Sequence, residues 1–376
     1  MNSKKNRTGH TALENASTQP LVRQRVFNNP GVLCEGWYPL LASAKVKVKT
    51  AQSVVLLRQR LVVFRGEDGK VRALDAFCPH MGADLGNGTV RGNQLQCYFH
   101  QWQFAESGEV ASVPCLSASA ELPHAAVNCY PVQESYGWIW VYSKKGLLSP
   151  YPVPQPFGLE NENCSALYLG APTLFAHHHV LMINAIDLQH FSAVHKVDIQ
   201  FDFKVDETNA QVFDWDLEGA IPANSWKLRL GKWLLEKGIG QGAGENFGYR
   251  ARFAGGSIVA LTYGLNARMR EEVRAQKRRN VSVQILWGCV PLTTGVSRVH
   301  IFIVQRKPSN IWERVRNVFL YALTFAVLTI LKDDDIKAFP NMRFQMSNLI
   351  AADRSAARLS QLLDKLPISE WSVSSD

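Results

Sequence analysis

Two short runs of the chain hold residues whose types and spacing suggest chemistry: Cys78-Pro79-His80 and Cys97-Tyr98-Phe99-His100, a C-x-H and a C-x-x-H with 16 residues between them. Two thiolates and two imidazoles in pairs suit a tetrahedral zinc, or an iron–sulfur cluster with cysteines on one iron and histidines on the other. Spacing separates the two. Zinc sites more often join cysteine to cysteine and histidine to histidine. A mixed pair in each of two β loops instead lets Cys78 and Cys97 hold one iron while His80 and His100 hold the second. A further run, Asn184-Ala185-Ile186-Asp187-Leu188-Gln189-His190-Phe191-Ser192-Ala193-Val194-His195, places an acid and two histidines within nine residues. On a helix Asp187 and His190 share a face, so the carboxylate is placed to accept a hydrogen bond from the imidazole and fix its tautomer. His195 is five residues further on and reaches the same metal only if the helix distorts or ends in between. The adjacent His177-His178-His179 run warns that histidines alone do not make a site.

The surroundings Cys78-Pro79-His80-Met81-Gly82-Ala83 and His100-Gln101-Trp102 resemble the two cluster-binding loops of Rieske proteins. Respiratory and photosynthetic members add a disulfide between the loops and hydroxyls that donate hydrogen bonds to the cluster. The corresponding residues here are Ala83, Tyr98, Trp102 and Phe104. Fewer donors stabilise the reduced cluster less, which predicts a potential at the low end of roughly −150 to +300 mV. Gln101 stands where the family usually has glycine, so a different backbone shape is expected there.

The second run resembles the D-x2-H-x4-H signature of Rieske non-haem iron oxygenases, whose two histidines and a distant carboxylate form a facial triad with positions open for O2. That resemblance implies that His190 and His195 are ligands of a mononuclear Fe(II). Asp187 matches the acid that bridges, between neighbouring subunits, an iron histidine of one and a cluster histidine of the other, here His100. Asn184 occupies a position where the family often has an acid, so Asp187 carries this link alone. For the carboxylate, Asp335-Ile336-Lys337-Ala338-Phe339 fits the D-[IV]-x-[IA]-[WF] pattern of oxygenases resembling aminopyrrolnitrin oxygenase and 3-ketosteroid 9α-hydroxylase. Asp335 is the first choice and Asp333 the second, within Asp333-Asp334-Asp335.

These residues need a scaffold. From about 36 to 143 short apolar runs alternate with turn signals: SVVLLRQRLVVF, Glu67-Asp68-Gly69, KVRALDAF, QLQCYF, Glu106-Ser107-Gly108 and GWIWVY, a small antiparallel β domain. The proline-rich SPYPVPQPFG marks a linker. Beyond it come a helix around 180–195, strand-like runs SIVALTYGLNA, VSVQILWGCV and VHIFIVQ, and a helix from Ile311 to Asp335 without internal Gly or Pro. Its uncharged stretch, Asn317 to Leu331, is too short for a membrane span and reads as a buried core helix. The fold class is α+β. The resemblance implies an all-β Rieske domain, then a helix-grip-like antiparallel sheet domain whose helices hold the iron. The expected boundaries are a flexible tail over 1–30, the Rieske domain over 31–148, the linker over 149–158 and the catalytic domain over 159–376.

The chain has 376 residues, 46% of them hydrophobic, enough for two cores. Its opening residues lack the apolar stretch of a secretory signal, so a cytoplasmic location is expected. Of seven cysteines, Cys34, Cys115, Cys129, Cys164 and Cys289 lack partner spacing and are read as packing. The net charge of +9 is spread, with its densest runs at Lys4 to Arg7 and Arg268 to Arg279. No nucleic-acid motif accompanies them, so they read as a solvated face or a docking patch for an acidic redox partner. The glycine alternation Gly238, Gly240, Gly242, Gly244 lacks the spacing of a dinucleotide fingerprint and reads as a flexible loop.

The resemblance implies a [2Fe–2S] cluster, a mononuclear iron and O2 as co-substrate. It also implies a separate reductase or ferredoxin, a homotrimer, and oxidation of a small hydrophobic substrate that is aromatic, steroid-like or a natural product. Monooxygenation comes first; demethylation, desaturation and cyclisation use the same machinery. Met182, Ile183, Phe191 and the 317–331 helix fit a hydrophobic substrate. Nucleic acid is excluded, and association with a membrane surface is not favoured. A pure Rieske electron carrier is the rival reading from another class, and it leaves everything after the linker without a purpose.

Overall fold

Alternating branched and aromatic residues set the strands. In the computed structural model the described residues are 25–372 apart from 118, 161, 197–198, 221–245, 264–282, 340–341 and 343. The tail up to residue 24, the glycine alternation and the basic run from Arg268 to Arg279 lie outside them.

The first half contains β1 (Trp37–Ala42), β2 (Ala51–Leu56), β3 (Gln59–Arg65), β4 (Val71–Asp75), β5 (Thr89–Arg91), β6 (Gln94–Gln96), β7 (Gln103–Phe104), β8 (Val110–Ser112), β9 (Cys129–Tyr130), β10 (Val132–Ser135) and β11 (Trp138–Tyr142). They form antiparallel sheets in the orders β2-β3-β4-β9, β5-β6-β7-β8 and β1-β11-β10. The two four-stranded sheets share a core of Val62, Phe64, Leu74, Leu95 and Phe104 that also takes in Cys78 and Cys97. The run SVVLLRQRLVVF is a hairpin, folded at Leu57 and Arg58 with φ of 52° and 70°.

The second half contains β12 (Cys164–Gly170), β13 (Thr173–Leu174), α1 (His178–Ile183), α2 (Leu188–Ala193), β14 (Phe201–Asn209), β15 (Val212–Ala220), β16 (Asn246–Ala254), β17 (Ile258–Tyr263), β18 (Val283–Thr293), β19 (Val296–Arg306), α3 (Ile311–Ala338) and α4 (Arg354–Leu363). Its strands make one eight-stranded sheet, β12-β19-β18-β17-β16-β15-β14, with β13 also on β19. Period-two alternation gives this sheet two buried faces. Phe213, Trp215, Leu217 and Tyr249 pack with Met182, Ile186, Leu359 and Leu363 of the helical side. Ala260, Leu286, Phe302 and Val304 pack with Trp37, Trp140 and Tyr142 from the first half. Cross-strand pairs Asp214–Arg252 and Asp216–Arg250 brace β15 against β16.

Three expectations change. The segment 149–158 joins the halves but is packed rather than free: Tyr151, Val153 and Phe157 are buried, and Trp37 Nε1 donates to the Tyr151 carbonyl at 2.8 Å. The tail ends before residue 30, because Val26 and Phe27 are buried and their amides donate to Asp364 Oδ1 at 2.9 and 2.8 Å. The helix from Ile311 is not a buried core helix. Asn317, Leu320 and Thr324 are buried while Val315, Val318, Phe319 and Phe325 stand in solvent. Among the described residues no helix is long and apolar enough to cross a membrane.

The halves meet at a glycine contact. A Cβ on Gly36 would lie 2.6 Å from the Gly255 carbonyl, in the β16–β17 turn, so the chain just before β1 can lie against that turn only without a side chain.

Candidate metal centres

The two cysteine–histidine loops are built on one backbone plan. In the first, after β4, the Cys78 amide donates to the Ala83 carbonyl and the Gly82 amide donates to the Cys78 carbonyl. In the second, between β6 and β7, the Cys97 amide donates to the Trp102 carbonyl and the Gln101 amide to the Cys97 carbonyl. Each cysteine thus starts a turn closed four and five residues on. Gln101 keeps the left-handed conformation of Gly82, with φ of 59° against 73°. The expected change of backbone shape at Gln101 is therefore not found; the loop keeps its form and carries local strain.

This plan buries both thiols and presents both imidazoles. Cys78 and Cys97 are buried, whereas His80 and His100 are exposed with ring centroids 4.6 Å apart. Trp102 stacks on His80 at 4.5 Å with the planes 7° apart. Asp84 anchors the first loop by accepting from the Ser53 hydroxyl, Arg60 and the Gly86 amide. Burial would raise its pKa, but those hydrogen bonds outweigh burial and hold it below the usual carboxylate range. Two thiols on the inner side and two imidazoles on the outer side fit a cluster with one iron on each pair. Among the described residues the cysteines are free thiols, without the inter-loop disulfide.

The second centre is assembled from three segments. α1 ends at Ile183, Asp187 caps α2, and α2 stops at Ala193, so His195 lies past the helix end. The break that lets both histidines converge is thus present. His190 Nε2 lies 2.8 Å from His195 Nε2 and 3.0 Å from Asp335 Oδ1, and His195 Nε2 lies 3.0 Å from that same oxygen. Ligands at right angles about 2.1 Å from an ion would be separated by about 3 Å, so the triangle fits one face of an octahedron. The three side chains are only 11%, 3% and 23% exposed. Burial lowers the His190 pKa, but the Asp335 hydrogen bond and charge, with Asp187 behind them, reverse the shift to a net rise. A cation at the centre would replace that proton.

α3 brings Asp335 to this point because it shares a helical stripe with Leu320, Thr324 and Leu328, the side laid toward the sheet. The side chains of Asp333 and Asp334 lie outside the described residues.

Asp187 does not bond the His190 ring as expected. Its Oδ1 accepts from the amides of Gln189 and His190 at 3.0 and 3.2 Å, and His190 Nδ1 has no hydrogen-bond partner among the described residues. The N-cap requirement wins because a carboxylate just before a helix faces its free amides. Asn184 is the half-buried C-cap of α1. Met182 and Ile183 are buried core, and Phe191 is partly buried beside His190 at 5.1 Å.

Tyr249 and Tyr263 were not singled out in the sequence. The Tyr249 hydroxyl donates to the Ala185 carbonyl at 2.9 Å and holds the break between α1 and α2. Tyr263 lies 5.2 Å from Tyr249, and its pKa is raised by burial and then by the Asp335 charge. Both sit on strands, and only the register β16–β17 brings them together.

The other histidine cluster, His177-His178-His179, is a poor metal site despite its proximity. A neutral imidazole has one lone-pair nitrogen. That of His179 accepts from the Asn28 amide at 3.1 Å and that of His177 from the His179 amide at 3.2 Å. Burial pushes the pKa of all three down, that of His177 to about 4.

A family model for the Rieske [2Fe–2S] domain matches residues 36–131. Cholesterol 7-desaturase of Bombyx mori is 32% identical over 171 residues, 44% of this chain and 36% of that protein. Aminopyrrolnitrin oxygenase of Pseudomonas fluorescens is 25% identical over 314 residues, 77% of this chain and 80% of that one. The structure of NdmB from Pseudomonas putida CBB5 superimposes with a TM-score of 0.59 at 17% identity, covering 89% of this chain and 93% of that one, a likeness of fold. The chain carries a Rieske [2Fe–2S] domain and is related in sequence, and similar in fold, to Rieske non-haem iron oxygenases. Their cofactors are the Rieske cluster, a mononuclear iron and O2, and their electrons come from a reductase or ferredoxin. The chain spans about a third to a half of the length of the first curated relatives it matches, the cholesterol 7-desaturases.

Proposed function

We propose that this chain is an oxygenase component that takes electrons from a separate donor and uses O2 to oxidise a hydrophobic, ring-containing substrate, first as a monooxygenase. The carrying observation is the triangle of His190, His195 and Asp335, with edges of 2.8 to 3.0 Å, in a chain that also has a Rieske domain. When bound, the cluster supplies single electrons and the iron supplies the site of O2 reduction. The residues do the placing. Cys78, Cys97, His80 and His100 would hold the cluster with its histidine side exposed, and the largely buried His190, His195 and Asp335 would hold the iron. Phe191 packs against both histidines, with ring centroids 5.1 Å from His190 and 6.1 Å from His195.

Relatives named for cholesterol and for aminopyrrolnitrin support a hydrophobic substrate. The desaturase among them makes desaturation the second reading. A homotrimer follows from the Asp187 role. His80 and His100 are exposed within a collar of Phe77, Met81, Tyr98 and Phe99, which supports a cover supplied by a neighbouring subunit, Asp187 meeting His100 across that contact.

The test is iron content together with oxygen uptake. Three irons per chain, and O2 consumption that depends on substrate with a generic reductase, are the expected results. Two irons per chain, with electron transfer unchanged in His195→Ala, would make the chain an electron carrier instead.

A further inference from the structure

α3 is amphipathic in the reverse sense. Ile311, Val315, Val318 and Phe325 follow at steps of four, three and seven, so they share one face, and Trp312 and Phe319 widen it. These six side chains are between 45% and 79% exposed. The stripe runs about 21 Å along the helix. The face turned to the protein carries the polar groups: buried Asn317 donates to the Arg306 carbonyl at 2.8 Å, and the Tyr321 hydroxyl lies 3.2 Å from that of Ser165 on β12. A helix that spends its polar side on its own sheet and leaves aromatic and branched residues in water calls for a cover on the outer side.

The charges around the stripe select that cover. Lys307 and Arg314 are exposed and Arg316 half-buried at the Trp312 end, and no acidic side chain is exposed among the described residues of the helix. Glu313 is turned back, accepting from the Ser309 amide and hydroxyl at 2.8 and 2.9 Å. A second copy would bring the same basic end and the same net charge of +9. An anionic lipid surface would attract both. From these observations we propose that the outer face of α3 lies on an anionic membrane surface, Trp312 and its neighbours entering the headgroup region while Lys307 and Arg314 meet lipid phosphates. The helix lies on the bilayer and does not cross it, since its inner face stays fixed to β12 and β19. This reverses the sequence expectation and does not depend on the oxygenase reading.

The test is co-sedimentation of the full, iron-loaded chain with vesicles of phosphatidylcholine alone and of phosphatidylcholine mixed with phosphatidylserine. Wild type should pellet with the mixed vesicles and weakly with the neutral ones. Val318→Asp combined with Phe325→Asp should lower binding about tenfold or more, and Lys307→Glu with Arg314→Glu should remove the preference for acidic lipid. Trp312→Ala, at the most exposed of the six, is the mild variant and should weaken binding with unchanged iron content and melting temperature. The proposal is overturned if wild type stays in the supernatant with every vesicle, or if Trp312→Ala and the paired aspartates bind as wild type does. It is equally overturned if light scattering without lipid shows that these variants split an oligomer, because a second copy then covers the stripe.

Discussion

The two candidate metal centres are built in opposite ways. The cluster loops are local: each cysteine and its histidine lie within four residues, on a turn closed by its own backbone, and the two turns repeat one hydrogen-bond plan. The candidate triad is non-local: Asp335 is 145 residues from His190, and the meeting depends on a helix break, a cap and the seating of α3. A local site keeps its geometry at an exposed tip, where it can touch a partner. A site assembled across the fold gains enclosure but relies on everything between.

The largest expected effect breaks the local site. Cys78→Ala removes a thiolate that no neighbour replaces, so the cluster and its visible absorption should vanish and iron should fall from three per chain to one. The mononuclear iron should survive in that variant, since no element of the triad rests on these loops. Iron analysis and the absorption spectrum check both halves.

Asp335→Ala is the matching break of the other centre. Iron should fall to two per chain with the cluster spectrum intact. Activity should fall by more than the roughly hundredfold that loss of a supporting partner costs. Asp333→Ala should change neither iron content nor rate; a result in which Asp333→Ala loses the iron and Asp335→Ala keeps it reverses the assignment.

Asp187 caps α2, and the proposed link to His100 of a neighbouring subunit would be a second, separable job. Asp187→Ala removes the cap of α2 and should cost about 1 kcal/mol of stability. Asp187→Asn retains a capping oxygen but not the charge, so it should melt like wild type. If Asp187 links the centres, the asparagine variant still loses activity, about tenfold or more, with its iron content full. Equal activity in wild type and Asp187→Asn would leave only the cap.

The same contrast explains what the sequence revealed. Local patterns can be read directly along the chain: the pairing of Cys78 with His80 and of Cys97 with His100, and the His190–His195 spacing, whose required helix break is present. The carboxylate was narrowed to three neighbours, and the stripe shared with Leu320, Thr324 and Leu328 favours Asp335. Tyr249 and Tyr263 were not legible, because their role comes from strand register. The Leu57-Arg58 turn lacks the glycine or asparagine that usually announces positive φ. The outward face of α3 was misread because an apolar run says nothing about which side the polar residues will be spent on.

The smallest effect tests the claim that the loops repeat one plan. Gln101 holds φ of 59° where its counterpart Gly82 holds 73°, and a side chain in that region costs about 1 kcal/mol. Gln101→Gly should recover part of that cost, offset by the greater freedom glycine has when unfolded, for a net gain of about 0.5 kcal/mol. Gly82→Ala should lose about 1 kcal/mol, although nothing lies within 4 Å of the added Cβ, because the strain is in the backbone and not in contact. Thermal melts of the two variants should therefore move in opposite directions. If both destabilise, the Gln101 side chain is contributing something that outweighs its strain, and the second loop is more than a copy of the first.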